Sequence, residues 1–317
     1  MYDVAALGEL LIDFTCLSTD ADGYPTMAAH PGGAPANYLA ALTKFGAKTA
    51  MIGKVGNDAF GRLLIKTLKG TGIDTRGMLV SDDVFTTLAF VTLDDSGNRE
   101  FSFARKPGAD TQLRFDEIDL GVIDASKVLH FGTLSMTNEP ARDATYKAVE
   151  YAAGRGKLIS FDPNLRKPLW NDLDEAKRQM LWGLRHADVV KISDEETEFL
   201  FGIAPEESAK HIINSFGVRL VYVTCGAEGC FYRTKTASGF VKALSGIAVK
   251  DTTGAGDIFG GSSMYGLLKA GGVPEKLTAE ELKEIVSFAC ASAGLSTTRA
   301  GGISSVPELG EVEAVMK

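Results

Sequence analysis

Short apolar runs alternate with helical patterns along most of this chain. Val4–Phe14, Thr49–Val55, Lys127–Thr133, Lys157–Asp162, Val189–Ser193 and Leu220–Cys225 are rich in β-formers, and several are apolar throughout. Unbroken apolar runs are the mark of strands covered on both faces. Between them, helical periodicity predicts helices over Ala36–Phe45, Asp58–Lys69, Ala141–Gly154, Leu173–Arg185, Ser208–Phe216, Ala255–Ala270 and Ala279–Thr297, with Gly46 and Gly154 as stops. This alternation predicts an α/β fold, a three-layer α/β/α sandwich around a mostly parallel sheet, as one domain over residues 1–317.

Two stretches break the rhythm. Thr15–His30 is polar and turn-rich, and Thr86–Arg105 holds two strands, LAFVTLD and REFSFAR, joined by the turn Asp95-Ser96-Gly97-Asn98. Neither carries a helix. They predict a small β-sheet lid built from about 14–31 and 86–108, of the kind that excludes water from a site. Its apolar strands would present an exposed sheet edge, and a homodimer through the lid is the expectation.

With 45% hydrophobic residues in 317, the chain can bury a large core. Its net charge of −8 and lack of a basic stripe argue against a nucleic-acid partner. The opening MYDVAALGELLIDF reads as strand at once, with neither a leader pattern nor a membrane-length apolar run, so a cytoplasmic protein without a membrane partner is expected. The four cysteines form no C-x-x-C pair and read as reduced thiols; the four histidines hold no H-E-x-x-H, which argues against a zinc enzyme.

Ligands of open parallel sheets bind where the strands end at their carboxyl side. Thr133, Asp162, Asn164, Ser193, Thr224 and Gly226 all follow predicted strands there. The sharpest local pattern is Asp251-Thr252-Thr253-Gly254-Ala255-Gly256-Asp257, running into a helix. Amides of Gly254, Ala255, Gly256 and Asp257 can converge on an anion, with the carboxylate of Asp257 beside it as a base. Alone, the same residues also read as a tight turn with an aspartate cap. A dinucleotide fingerprint fits less well, because the spacing is G-x-G-x-x-x-G after a polar segment. A phosphate-binding loop ending in Gly-Lys-Ser/Thr is absent, since Gly53-Lys54 is followed by Val55.

A second glycine pair, Gly32-Gly33, precedes Pro35 and Asn37 in PGGAPAN, which reads either as a ligand-facing helix start or as a plain one. Asp13 interrupts the apolar LLIDF, so it is at a rim or bonded to something. Phe103 and Arg105 share one strand face and could close over a ligand; a solvated arginine is the alternative.

Both glycine motifs, in this order, resemble those of the ribokinase-like (PfkB) carbohydrate kinases, and the likeness runs from GELLIDF to RAGGISSVP. Within that family PGGAPANYLAAL, IGKVGNDAFG, LAFVTLDDSGNREFSFARKPGAD and SFDPNLR are most similar to the fructokinase branch. The resemblance implies ATP with Mg²⁺, Asp257 as base, and an anion hole from Gly254, Ala255 and Gly256. It implies that Asp13, Gly32, Gly33, Asn37, Phe103 and Arg105 hold the sugar, with Asn164 and Arg166 near the reacting phosphates. Lys191, Ser193, Thr224, Gly226 and Gly229 would serve the nucleotide, and Glu196 the Mg²⁺ through water, although Ser193 stands where the family often has asparagine. Asp251, Thr253, Ser296, Gly301 and Ser305 resemble a K⁺ site. The expected reaction is phosphorylation of D-fructose at its 6-hydroxyl. The same chemistry on 2-keto-3-deoxygluconate, ribose or a nucleoside is the nearest alternative. A silent sugar-binding module and a nicotinamide-dependent enzyme are further ones.

Overall fold

The computed structural model describes residues 1–93 and 99–316, and for 93 and 99–101 the backbone only. The turn predicted at 95–98 lies outside the described residues.

Thirteen strands and ten α-helices follow one another along the chain among the described residues. The strands are β1 Tyr2–Leu7, β2 Leu11–Thr19, β3 Pro25–Gly32, β4 Thr49–Gly56, β5 Asp74–Ser81, β6 Leu88–Leu93, β7 Arg99–Ala104, β8 Ser126–Gly132, β9 Leu158–Asp162, β10 Val189–Ser193, β11 Leu220–Thr224, β12 Gly229–Arg233 and β13 Ser238–Lys242. The helices are α1 Ala34–Lys44, α2 Ala59–Thr71, α3 Leu120–Asp124, α4 Ala141–Gly154, α5 Leu173–His186, α6 Asp194–Phe201, α7 Pro205–Phe216, α8 Ala255–Lys269, α9 Ala279–Ser296 and α10 Leu309–Val315.

Nine strands form the central sheet in the order β13-β12-β11-β10-β9-β8-β1-β4-β5. From β11 to β5 every pairing is parallel, and at the other edge β11–β12 and β12–β13 are both antiparallel. One core layer packs Leu39, Leu64, Ile258, Leu267 and Val286 of α1, α2, α8 and α9 against one face of the sheet. The other packs Ala144, Val149, Leu184 and Ile212 of α4, α5 and α7 against the opposite face. This is the expected three-layer ribokinase-like arrangement.

The run Val4–Phe14 is two strands, not one. The chain leaves the central sheet after Leu7 and enters a second, four-stranded sheet, β3-β2-β6-β7, at Leu11. Gly8 permits the turn because its backbone lies against Pro35, and an added Cβ there would stand 2.7 Å from Pro35 Cγ. Consequently the small sheet begins a few residues earlier than the polar composition suggests. Within it β2 pairs antiparallel with β3 and parallel with β6, which pairs antiparallel with β7. Gly154 also departs from expectation: it lies inside α4, and the left-handed turn falls at Gly156, φ 69°. No helix among the described residues is long and apolar enough to cross a membrane.

Candidate active site

The start of α8 is the geometric centre of the site. Gly254, its N-cap, has φ 75°, a left-handed conformation that a side chain would resist. Ala255 N–H turns back onto Thr252 O at 3.3 Å, while Ile258 N–H opens the helical ladder on Gly254 O at 2.8 Å. The amides of Gly256 and Asp257 fall between those two, ahead of the ladder, where a helix start favours an anion.

Asp257 is not the helix cap, because no side-chain capping bond is made at this helix start. Its Oδ2 instead accepts from Asn37 Nδ2, on α1, at 2.9 Å. Both residues are buried. Burial pushes the Asp257 carboxyl above its ordinary range; Asn37, Lys191 and Arg166 draw it back, and Glu196 adds repulsion. Asn37 Oδ1 has no hydrogen-bond partner among the described residues. The Gly302 backbone approaches it so closely that a side chain there would overlap the amide.

Asn37 is held in turn by the start of α1. Gly33 takes φ 118°, and an added Cβ would stand 2.5 Å from Glu9 O. Ala34 N–H donates to Glu9 Oε1 at 2.9 Å. Sequence reading passed over Glu9, although the carboxyl is buried and desolvation pushes it up to about 7. An acidic residue next to Gly8 in an apolar segment was the available signal.

Asp13 lies on β2 directly beside Gly32, where any Cβ would run into the carboxylate. Burial raises Asp13 to about 7; Arg166 opposes the rise, while Asp257 and Asp251 support it. Register puts Asp13 in one row with Ala89 and Phe103, so the three side chains share a face of the small sheet.

Arg105 lies on that face too, but it is not solvated. Its Nε and Nη2 clamp Asp110 Oδ2 at 2.8 and 2.6 Å, Nη1 reaches Thr137 Oγ1 at 2.7 Å, and Nη2 also bonds Leu134 O at 2.8 Å. The solvated alternative is thereby overturned. Burying a guanidinium requires a paired carboxylate, and Asp110 supplies it.

Below the α8 start the ends of β9 and β10 contribute a second pair. Lys191 Nζ lies 3.0 Å from Asp162 Oδ2, both nearly shielded from solvent. Asn164 follows with φ 44°, the one left-handed non-glycine residue among those described, and its N–H turns onto Asp162 Oδ1 at 3.2 Å. A backbone held in that region marks a constrained site. Arg166, half-buried, completes the cationic side of the site.

Other expected residues have structural work. Ser193 Oγ accepts Glu196 N–H at 3.1 Å and Glu196 Oε2 accepts Ser193 N–H at 2.8 Å, a capping box on α6. Glu196 Oε1 also accepts Leu165 N–H at 2.7 Å, fixing the segment that carries Asn164 and Arg166. Thr224 Oγ1 donates to Ile192 O at 3.4 Å, and Gly226 takes φ 50° in the loop that follows. Gly229 packs against the Val241 carbonyl with no room for a side chain.

Asp251 gathers Thr253 and Gly301. Its Oδ1 accepts Thr253 N–H at 3.0 Å and Thr253 Oγ1 at 2.7 Å, and its Oδ2 accepts Gly301 N–H at 2.9 Å. The hydroxyls of Ser296 and Ser305 donate to Ala293 O and Gly302 O, within their own turns. Among the described residues no three His, Cys, Asp or Glu gather as a metal cluster. The four cysteines are free thiols.

A helix start open to an anion, with a buried carboxylate in its first turn and a second sheet carrying polar groups beside it, defines a phosphotransferase acting on a small molecule. Comparison gives the family. The profile described as pfkB family carbohydrate kinase matches residues 1–309. A probable fructokinase-4 of Arabidopsis thaliana is 41% identical over 318 residues, covering 99% of this chain and 96% of that protein. The crystal structure of a fructokinase with bound ATP from Xylella fastidiosa aligns with TM-score 0.91 at 29% identity, over 100% of this chain and 98% of the other. A fructokinase from Vibrio cholerae, with fructose, ADP and calcium ion bound, aligns with TM-score 0.88 at 31% identity, over 100% and 99%. The chain belongs to the pfkB family of carbohydrate kinases, and it is a sugar kinase.

Proposed function

We propose that this kinase transfers the γ-phosphoryl group of ATP to the 6-hydroxyl of D-fructose, with Asp257 as the general base. The observation that carries the reading is the bond from Asn37 Nδ2 to Asp257 Oδ2. It turns a buried carboxylate toward the start of α8 and away from a capping role. In the reaction the sugar O–H proton passes to Asp257, and the sugar oxygen bonds to the γ-phosphorus. The bond from that phosphorus to the β–γ bridging oxygen breaks, and ADP leaves. The amides of Gly256 and Asp257 face the charge that develops on the transferring group. Arg166 brings a fork suited to phosphate oxygens. Asp13 offers both carboxylate oxygens to sugar hydroxyls, with no protein hydrogen bond to them among the described residues. The fructokinase relatives support fructose as the acceptor.

A divalent cation fits this donor set, because Glu196 is a buried oxygen ligand whose two oxygens each keep a lone pair after accepting one N–H. Glu196 would hold Mg²⁺ through its waters. When bound, the metal neutralises charge on the β- and γ-phosphate oxygens.

ADP release measured across fructose, 2-keto-3-deoxygluconate, ribose and a nucleoside tests the acceptor, and the highest kcat/KM is expected for fructose. Asp257→Asn, nearly isosteric, tests the base: kcat should fall by ~10²–10⁴ while ATP affinity changes little. A variant turning over at the wild-type rate removes Asp257 from the mechanism.

A further inference from the structure

The base is surrounded by acids. Asp257 on α8 is within electrostatic reach of Glu196 on α6, Asp162 at the end of β9 and Asp13 on β2, and Asp13 also feels Asp251. Two cations, Lys191 on β10 and Arg166 after β9, oppose them. His130, the other basic group facing Lys191, is buried, stacked on Tyr38 at 3.7 Å, and held neutral by burial and by Lys191, its pKa lowered to about 3. A site carrying this much negative charge still has to keep its base ionised and receive an anionic nucleotide.

Lys191 is placed for that task. Its ammonium lies under the phosphate-receiving loop, so close that a Cβ added to Gly256 would stand 3.0 Å from Nζ. It also bonds Asp162 Oδ2 at 3.0 Å, and Asp162 Oδ1 accepts the N–H of strained Asn164. One buried cation thereby touches the strand end that carries Asn164 and Arg166 and the loop that carries the base. Beside it is a small cavity of about 10 Å³, lined in part by Tyr38, His130, Ser160 and Tyr222, too small for more than a single water.

We propose that Lys191 is a positioning residue: held by Asp162 and packed beneath Gly256, its charge keeps Asp257 ionised and sets how acid-sensitive the kinase is, with no contact to the sugar required. Asp162 is the counterweight, anchoring Lys191 while its own charge repels that of Asp257. The proposal rests on Asp257 being the base. It predicts that removing the two partners moves the enzyme in opposite directions.

The experiment is the pH profile of kcat at saturating fructose and ATP in Lys191→Met, Asp162→Asn and the double variant. Lys191→Met should move the acid limb up by about one pH unit, so the loss is about tenfold worse on the acid side than at alkaline pH. Asp162→Asn should move the limb down, and the double variant should fall between the two. If both single variants keep the wild-type limb, or shift it in the same direction, Lys191 has only a packing role and the proposal is overturned. Should Lys191→Met alone fail to fold, the downward shift in Asp162→Asn and its reversal in the double variant carry the test, and their absence overturns the proposal too. Asp257→Asn separates the two ideas: an inactive Asp257→Asn beside unshifted limbs refutes the role of Lys191 and leaves the base intact.

Discussion

Asn37 and Asp257 are joined by a 2.9 Å hydrogen bond although 220 residues separate them in sequence. The bond ties the first turn of α1, which follows the small sheet, to the first turn of α8. It also moderates the acidity of Asp257, since Asn37 lowers a carboxyl that burial raises. Asn37→Asp would replace the donor with a second carboxylate at hydrogen-bond distance, and two acids so close share a proton. The acid limb of kcat at saturating substrates should rise by at least about one unit, and kcat at neutral pH should fall on the order of tenfold or more. Asn37→Ala, which removes the donor without adding charge, should shift the limb less.

Asp13 gives a prediction on binding. Its raised value, about 7, means that the ionised form is lost as pH falls through neutrality. Sugar KM should therefore climb below about pH 7 in the wild type. In Asp13→Asn it should be at least about tenfold higher at pH 8 and nearly flat with pH, a lost charged hydrogen bond having roughly that cost. The KM for ATP should stay within about twofold, which initial-rate kinetics with each substrate varied would show.

Glu9 makes a prediction on stability. Its folded value of about 7 lies above the ordinary 4.5, so the native state holds the proton more tightly than the unfolded chain. The stability it contributes is present below 4.5 and lost as pH rises to about 7. Glu9→Gln carries no titrating group. Its melting temperature relative to wild type should increase between pH 4.5 and 7, by an amount equivalent to roughly 3 kcal/mol, and then level off. A difference that does not change with pH would remove the protonated Glu9.

Arg105 and Asp110 are a buried pair, at 3% and 2% side-chain exposure, too dry for either charge to stand alone. Arg105→Ala should cost about 3–5 kcal/mol in thermal or denaturant unfolding, because Asp110 is left unpaired. The double variant Arg105→Met with Asp110→Asn should recover most of the loss. If both variants melt alike, the guanidinium contributes packing alone.

Much of this architecture is legible in the residues. Apolar strands and capped helices predict the layers, because each is a local pattern, and the two glycine motifs mark the helix starts where Asn37 and Asp257 meet. Long-range and edge features escape. β5, DTRGMLVS, and the β12–β13 hairpin lie toward the sheet's edges, where burial is partial and composition mixed. α6 is hidden in the charged run DEET, though the Ser193–Glu196 capping box announces it. The split of Val4–Phe14 is marked only by Gly8-Glu9, because Val4, Ala6, Leu10 and Ile12 on either side of it pack into one core. Arg105 looks like a surface residue until Asp110, Thr137 and Leu134 close around it. Lys191 sits in an apolar strand, and nothing in its neighbours announces Asp162, twenty-nine positions earlier.

The passage from β1 to β2 takes only Gly8, Glu9 and Leu10. Asp13 therefore belongs to the small sheet and Asp257 to a helix packed on the central one, with this three-residue strap as one of the links between their frames. On the proposed reading, a sugar held by Asp13 is presented to Asp257 at a reach that the placement of the small sheet sets. An acceptor of the wrong length would be bound yet delivered off target, so turnover and grip can be tuned separately by altering the strap.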